Sequence, residues 1–229
     1  MRKVILLLVV VIIPLLSISQ INRNEPKVKS DKYGNEVISK ESDFGMLIGF
    51  GSSFNYFDSK TKKYLGNNRG RTYKLSLFYK NYLLRLAFKP VVKTTTKPTD
   101  IIYFNLPYNP GMLEVINNKI DIVLGYSFDL PYNFCFEPTL GYLRTPFVVS
   151  DTQGNEIESI SKNVSGITAG FSINKYINIT PLDSYIVVYI ANSINYSNYS
   201  KFHPDLGDSF YSFELGLALK GWFMKKTKL

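Results

Sequence analysis

Chemistry-bearing side chains are scarce in this sequence: one cysteine, one histidine and one tryptophan stand among 229 residues. The lone Cys135 excludes an intramolecular disulfide framework even in an oxidising compartment. As a catalytic thiol it would need an imidazole, and only His203 could supply one. A buried spectator is the ordinary state of such a thiol. Phosphate-loop, dinucleotide and metal-cluster spacings are all missing. Charged residues make up 20% of the chain and aromatics 15%, almost all of them Tyr and Phe. That inventory favours strands and interfaces over helices.

Long apolar runs are also missing beyond the N-terminus. There Met1-Arg2-Lys3 gives a positive end, Val4 to Leu16 an apolar stretch, and Ser17-Ile18-Ser19 a small-x-small cleavage site. Thirteen residues containing Pro14 are too few to span a bilayer. We therefore expect a signal peptide over residues 1–19 and a mature chain from about Gln20. No cysteine follows Ser19, so no lipid anchor is indicated. Loss of Arg2 and Lys3 takes the formal net charge from +9 to +7. An exported chain of that charge meets anionic lipid headgroups or polysaccharide rather than nucleic acid. Residues 20–42 are polar and charge-mixed, which predicts a flexible periplasmic lead-in.

What the remainder does have is alternation. Folding Arg71 to Pro90 at Lys80-Asn81 makes a hairpin with a two-residue loop. Its apolar pairs are Tyr79/Tyr82, Leu77/Leu84, Leu75/Leu86 and Tyr73/Phe88. The pairs between them are Phe78/Leu83, Ser76/Arg85, Lys74/Ala87 and Thr72/Lys89. Similar period-two segments run over Phe44–Phe57, Glu114–Phe128, Phe134–Arg144, Val164–Tyr176 and Ser209–Phe223. Ser184–Tyr196 is a strand by its β-branched content, but it is apolar on both faces, so its facing stays open. Pro138 removes a ladder donor, which predicts a bulge or kink.

These segments make eight strands, and their connections alternate in length. The polar connections Asp58–Gly70, Val91–Leu113, Thr145–Asn163 and Ser197–Asp208 are long, whereas those at Lys80-Asn81, Asp129–Asn133 and Ile177–Asp183 are short. Outer-membrane barrels show this asymmetry, with long loops outside and short periplasmic turns. The expected fold is all-β: an eight-stranded antiparallel up-and-down transmembrane barrel over residues 43–223, with a periplasmic tail over 224–229. A soluble lipocalin-like ligand-binding barrel is the alternative, with the apolar faces turned inward.

The fragments Phe44-Gly45-Met46-Leu47-Ile48-Gly49, Leu84-Arg85-Leu86-Ala87-Phe88-Lys89-Pro90 and Phe136-Glu137-Pro138-Thr139-Leu140-Gly141 carry a resemblance. In them the chain resembles small outer-membrane barrels of the OmpA and OmpX type, and most of all PorT-like barrels. That resemblance implies a structural or interaction role linked to protein secretion or gliding, and it implies no catalytic residues. The tail beyond Phe223 departs from those barrels, which end on or beside an aromatic.

Candidate site residues follow from facing. The expected lumen set is Lys74, Arg85, Lys89, Lys119, Asp121, Glu137, Glu214 and Lys220. Its members must pair or stay wet, with Arg85 seeking Glu137 or Asp121. An ionic plug is the plain reading, and a narrow cation-lined path for anions the sharper one. The expected aromatic girdle is Tyr73, Tyr79, Tyr82, Phe88, Tyr126, Phe128, Phe134, Tyr142 and Phe223. His203 lies in a loop near Ser200, Asp205, Asp208 and Ser209. Lipid A deacylase barrels carry histidine and serine two apart, and here position 205 is Asp, so hydrolysis is not expected. No catalytic residue, cofactor or metal is expected. The expected partners are outer-membrane lipid and a protein of the envelope.

Overall fold

A computed structural model describes residues 27–30, 36–94, 114–150, 158, 161–179, 184–201, 204 and 206–228. The strands are β1 (Lys27–Ser30), β2 (Glu36–Phe57), β3 (Asn68–Tyr79), β4 (Tyr82–Lys89), β5 (Val91–Thr94), β6 (Glu114–Asn117), β7 (Lys119–Tyr126), β8 (Phe128–Leu130), β9 (Phe134–Ser150), β10 (Lys162–Ile179), β11 (Ser184–Ser197) and β12 (Ser209–Lys228). Pro90 interrupts one stave into β4 and β5, which both pair with β3. Asn118 and Ser127 divide another into β6, β7 and β8, which all pair with β9. Eight antiparallel staves result, and the β12–β2 ladder closes them into a barrel.

The tight turn sets the register of the first hairpin. Tyr79 pairs with Tyr82, and the ladder runs unbroken to Tyr73↔Phe88. Lys80 takes the positive φ (54°) that such a turn demands. Every second residue then faces out: β3 alternates buried and exposed along its whole length, and β4 continues the pattern.

The staves are staggered as well as closed. The inter-strand row leaving Phe54 passes Phe213, Asn192, Phe171 and Pro138, then Tyr126, Tyr82 and Tyr79. It returns at Phe44, ten residues lower on the strand where it began. Such a stagger tilts the strands strongly and leaves a bore that side chains can fill.

Several expectations are corrected. β2 begins at Glu36 rather than Phe44, and β12 runs to Lys228, with Lys226 opposite Ser39 and Lys228 opposite Val37. Part of the presumed lead-in and tail is therefore paired strand, further edged by β1. Pairing of the two ends with each other extends them. The first long connection is also shorter than expected. It holds a helix, Ser59–Leu65, capped by the Asp58 side chain, and β3 already starts at Asn68.

At Pro138 there is no bulge, since Gly125↔Thr139 and Phe128↔Phe136 share one register. The ladder simply pauses opposite the missing donor, and the Ser127 amide bonds Asn81 O (2.7 Å) on the other side. In β11 the odd positions face in: Val187, Tyr189 and Ala191 are buried, whereas Ile186, Ile190 and Ile194 are exposed. The lipocalin-like alternative fails on facing. Phe44, Ile48, Phe50, Leu84 and Leu124 are exposed on the outer wall, while Lys74, Arg85 and Glu137 are buried within it.

Candidate functional site

The lumen is layered. At the turn end, Leu47, Phe78, Leu83, Cys135, Tyr176 and Val187 join in one apolar cluster, with Tyr189 and Ala218 reaching toward mid-barrel. At the loop end Phe57, Leu143, Phe147, Val164, Tyr199, Leu206 and Phe210 form a second. The ionic layer lies between them.

All eight expected lumen residues are buried. Arg85 Nη2 stands 2.5 Å from Glu137 Oε2. Its Nε donates to Ser76 Oγ (3.1 Å), and Ser172 Oγ donates to the same carboxylate oxygen (3.1 Å). Lys74 and Lys89 share Glu214, at 3.0 Å and 2.6 Å to its two oxygens. Lys89 also pairs with Asp121. The two remaining ammoniums are held by aromatic faces. Lys220 Nζ lies 4.0 Å from the Phe78 ring centre and donates to Tyr176 Oη (3.0 Å). Lys119 Nζ lies 4.8 Å from the Phe210 ring and 5.2 Å from Phe57. Such contacts stabilise a desolvated cation.

A cavity of about 40 Å³ opens among Lys74, Arg85, Lys89, Asp121, Thr168 and Glu214. It has room for a water or two. Tyr189 crosses the bore nearby with Lys74 Nζ 3.6 Å from its ring centre. It fits because Gly51 and Gly216 carry no side chain; a Cβ at either would meet its hydroxyl.

Outside, the aromatics form a chain of contacts near the turns: Phe44–Tyr79 (4.9 Å), Tyr82–Tyr126 (5.2 Å), Tyr126–Phe128 (4.6 Å), Phe128–Phe136 (6.4 Å) and Phe136–Phe171 (5.6 Å). Phe134 is exposed beside them, under Lys175. Toward the loops, Tyr73, Phe88 and Tyr142 are exposed, Phe54 packs on Phe213 and Tyr56 on Tyr211. The side chain of Phe223 and all of His203 lie outside the described residues. Cys135 is fully buried, its Sγ 2.9 Å from Ser127 Oγ.

Facing alone could have found Phe57, Tyr189 and Phe210, which sit at inward register positions. Tyr199 and Leu206 carried no such signal, because they lie in a connection. That connection is stitched to the first one. Gly207 N donates to Thr61 Oγ1 (3.0 Å), Ser209 N to Asp58 Oδ2 (3.3 Å) and Thr61 N to Asp58 Oδ1 (2.9 Å).

No family model matches the chain, and no curated protein matches it. Among solved structures it is similar to Ail, the attachment invasion locus protein of Yersinia pestis (16% identity, TM-score 0.44, covering 77% of this chain and 97% of that one). It is likewise similar to Neisserial surface protein A (15%, 0.46, 80% and 98%) and to the N-terminal β-barrel domain of Pseudomonas aeruginosa OprF (9%, 0.44, 79% and 99%).

Proposed function

We propose that this chain is a non-enzymatic outer-membrane barrel with a sealed lumen, acting through its ends as a structural or protein-binding element. The carrying observation is the outward apolar band. Large apolar residues stand exposed on every stave, from Phe44, Tyr79 and Tyr82 at the turn end to Phe50, Phe88 and Tyr142 toward the loops. Ten residues of tilted strand, at roughly 3.3 Å each, give a band about 25 Å tall, which matches the hydrocarbon thickness of such barrels. Water would leave that surface an aggregation site, whereas lipid needs it. Exposed Arg69, Arg71 and Arg144 stand toward the loop ends of their strands, where lipid phosphates would lie.

The two apolar clusters and the paired charges between them support a plug rather than an anion path. Purified full-length chain in planar bilayers should show no steady conductance; stable large channels would overturn the plug. Protease treatment of the reconstituted protein should spare the strands. Digestion throughout would refute membrane insertion.

The finer reading, a component of a secretion or gliding apparatus, rests on the PorT-like resemblance of the three fragments. It goes with residues 1–19 as a signal peptide and the long loops outside. Crosslinking in native membranes, with identification of co-purifying proteins, tests it. A secretion component supports the reading, and repeated recovery of the barrel alone counts against it.

A further inference from the structure

Below the turn-end rim the chain continues as a ribbon of three strands. β3 leaves β2 at Tyr79↔Phe44, and β11 meets β12 no further than Ser184↔Gly221. Beyond those rows β2 pairs on one side with β12, from Glu41↔Met224 to Val37↔Lys228. On its other side it pairs with β1, from Ser39↔Lys27 to Glu36↔Ser30. Among the described residues no strand pairs with the outer edge of β1, or with the outer edge of β12 over residues 222–228. Each such edge presents backbone N–H and C=O groups that another strand can take up. The two edges differ in reach. β1 has four residues, shorter than the usual strand, whereas the β12 edge runs roughly 20 Å at 3.3 Å a residue.

Charge decides what fits that edge. β1 with residues 36–41 and 224–228 holds six lysines and two glutamates. The register sets Lys226, Ser39 and Lys27 in one row, and Lys228, Val37 and Lys29 in the next row on the same face. Four lysine positions therefore share one face of the ribbon, two of them on the β12 edge. The same lysines exclude a second copy of this chain as the occupant. Pairing two such edges would bring Lys225, Lys226 and Lys228 against the same three, and like charges across a strand pair are destabilising. Lysine on an edge is the ordinary guard against self-pairing. It leaves the edge open to a strand of opposite charge.

We propose that residues 222–228 of β12 form a docking edge for an acidic extended segment of another envelope protein, which joins the ribbon as a fourth strand. This deepens the protein-binding reading above and rests on it. Backbone hydrogen bonds supply the pairing, and carboxylates at alternate positions of the added strand fall beside Lys226 and Lys228.

The test uses full-length refolded protein in detergent and a labelled heptapeptide that alternates glutamate and threonine. Fluorescence anisotropy should show saturable binding that weakens with salt, and amide exchange over residues 222–228 should slow when the peptide is bound. Lys226→Glu together with Lys228→Glu should raise the Kd about tenfold, as two exposed charge pairs turn from attraction to repulsion. A lysine–threonine heptapeptide should not bind, because its charge is wrong. A glutamate heptapeptide with prolines at its centre should not bind either, because it cannot pair as a strand. Equal binding of the proline peptide, or unchanged exchange over 222–228 at saturation, would overturn the docking edge. So would protection of 222–228 that appears without peptide on transfer from zwitterionic to anionic nanodiscs, which would assign the lysines to lipid headgroups. Should the double variant fail to refold, the peptide set and the exchange data on the wild-type chain decide the matter. A partner crosslinked through the loops, with no peptide bound at β12, would overturn this site and keep the wider reading.

Discussion

The two faces of the β3–β4 hairpin live under opposite rules. On the wall, Leu75/Leu86 and Leu77/Leu84 pair across the strands and then meet only what surrounds the barrel. In the bore, Ser76/Arg85 and Lys74/Ala87 pair in the same ladder, and the two cations reach carboxylates on non-adjacent strands, Arg85 to Glu137 and Lys74 to Glu214. The wall needs a class of residue, and the lumen needs particular residues. Tolerance should therefore differ sharply between positions one residue apart.

The largest expected effect tests that contrast directly. Arg85→Met strands Glu137 in the bore, at about 3–5 kcal/mol by urea unfolding in detergent or lipid. Adding Glu137→Leu should recover most of the loss, since two apolar groups can replace a buried pair. If the single variant is silent, the ionic layer is wetter than its burial implies. Next comes Leu84→Lys, on the wall one residue away. It should cost about 2–4 kcal/mol when the barrel sits in lipid, and far less in a detergent that lets the ammonium reach water. An equal loss in both media would mean that the wall is not read by lipid.

Over-packing separates the faces at smaller scale. Val123→Phe, inside, should cost about 1–3 kcal/mol, whereas Leu124→Phe, outside, should leave the unfolding midpoint nearly unchanged. The smallest effect belongs to the loop end. Thr61→Ala removes the two hydrogen bonds between its hydroxyl and the Gly207 backbone, leaving those of Asp58 with Ser209, at about 1 kcal/mol. It should speed proteolysis there without altering protection of the strands.

How much of this the sequence disclosed follows the same division. The hairpin was legible in full, because a two-residue loop fixes register and parity then sorts every side chain. The eight ionic residues could be named for the same reason, and so could the choice of Glu137 or Asp121 for Arg85. β11 was opaque because lipid and a plugged bore can both take apolar residues, so its two faces look alike. The flanks of β2 and β12 were missed because their residues are polar and charge-mixed, and only their pairing with each other makes them strand. Lys119 could be placed inside the barrel, but not that Lys89 would be the cation paired with Asp121. Tyr199 was beyond reach, since its burial depends on Phe57, Phe147 and Phe210 arriving from three other strands.

The seam between β2 and β12 joins the first long strand to the last. Phe57 meets Phe210 and Val37 meets Lys228, so nearly the whole described chain separates the partners. Contacts of such separation form slowly, because loop closure must precede them. No partial chain can close the cylinder, and the hairpins made first would expose polar edges until the final strand docks. Such intermediates are prone to aggregate. The cylinder therefore cannot close before β12 is available to dock on β2.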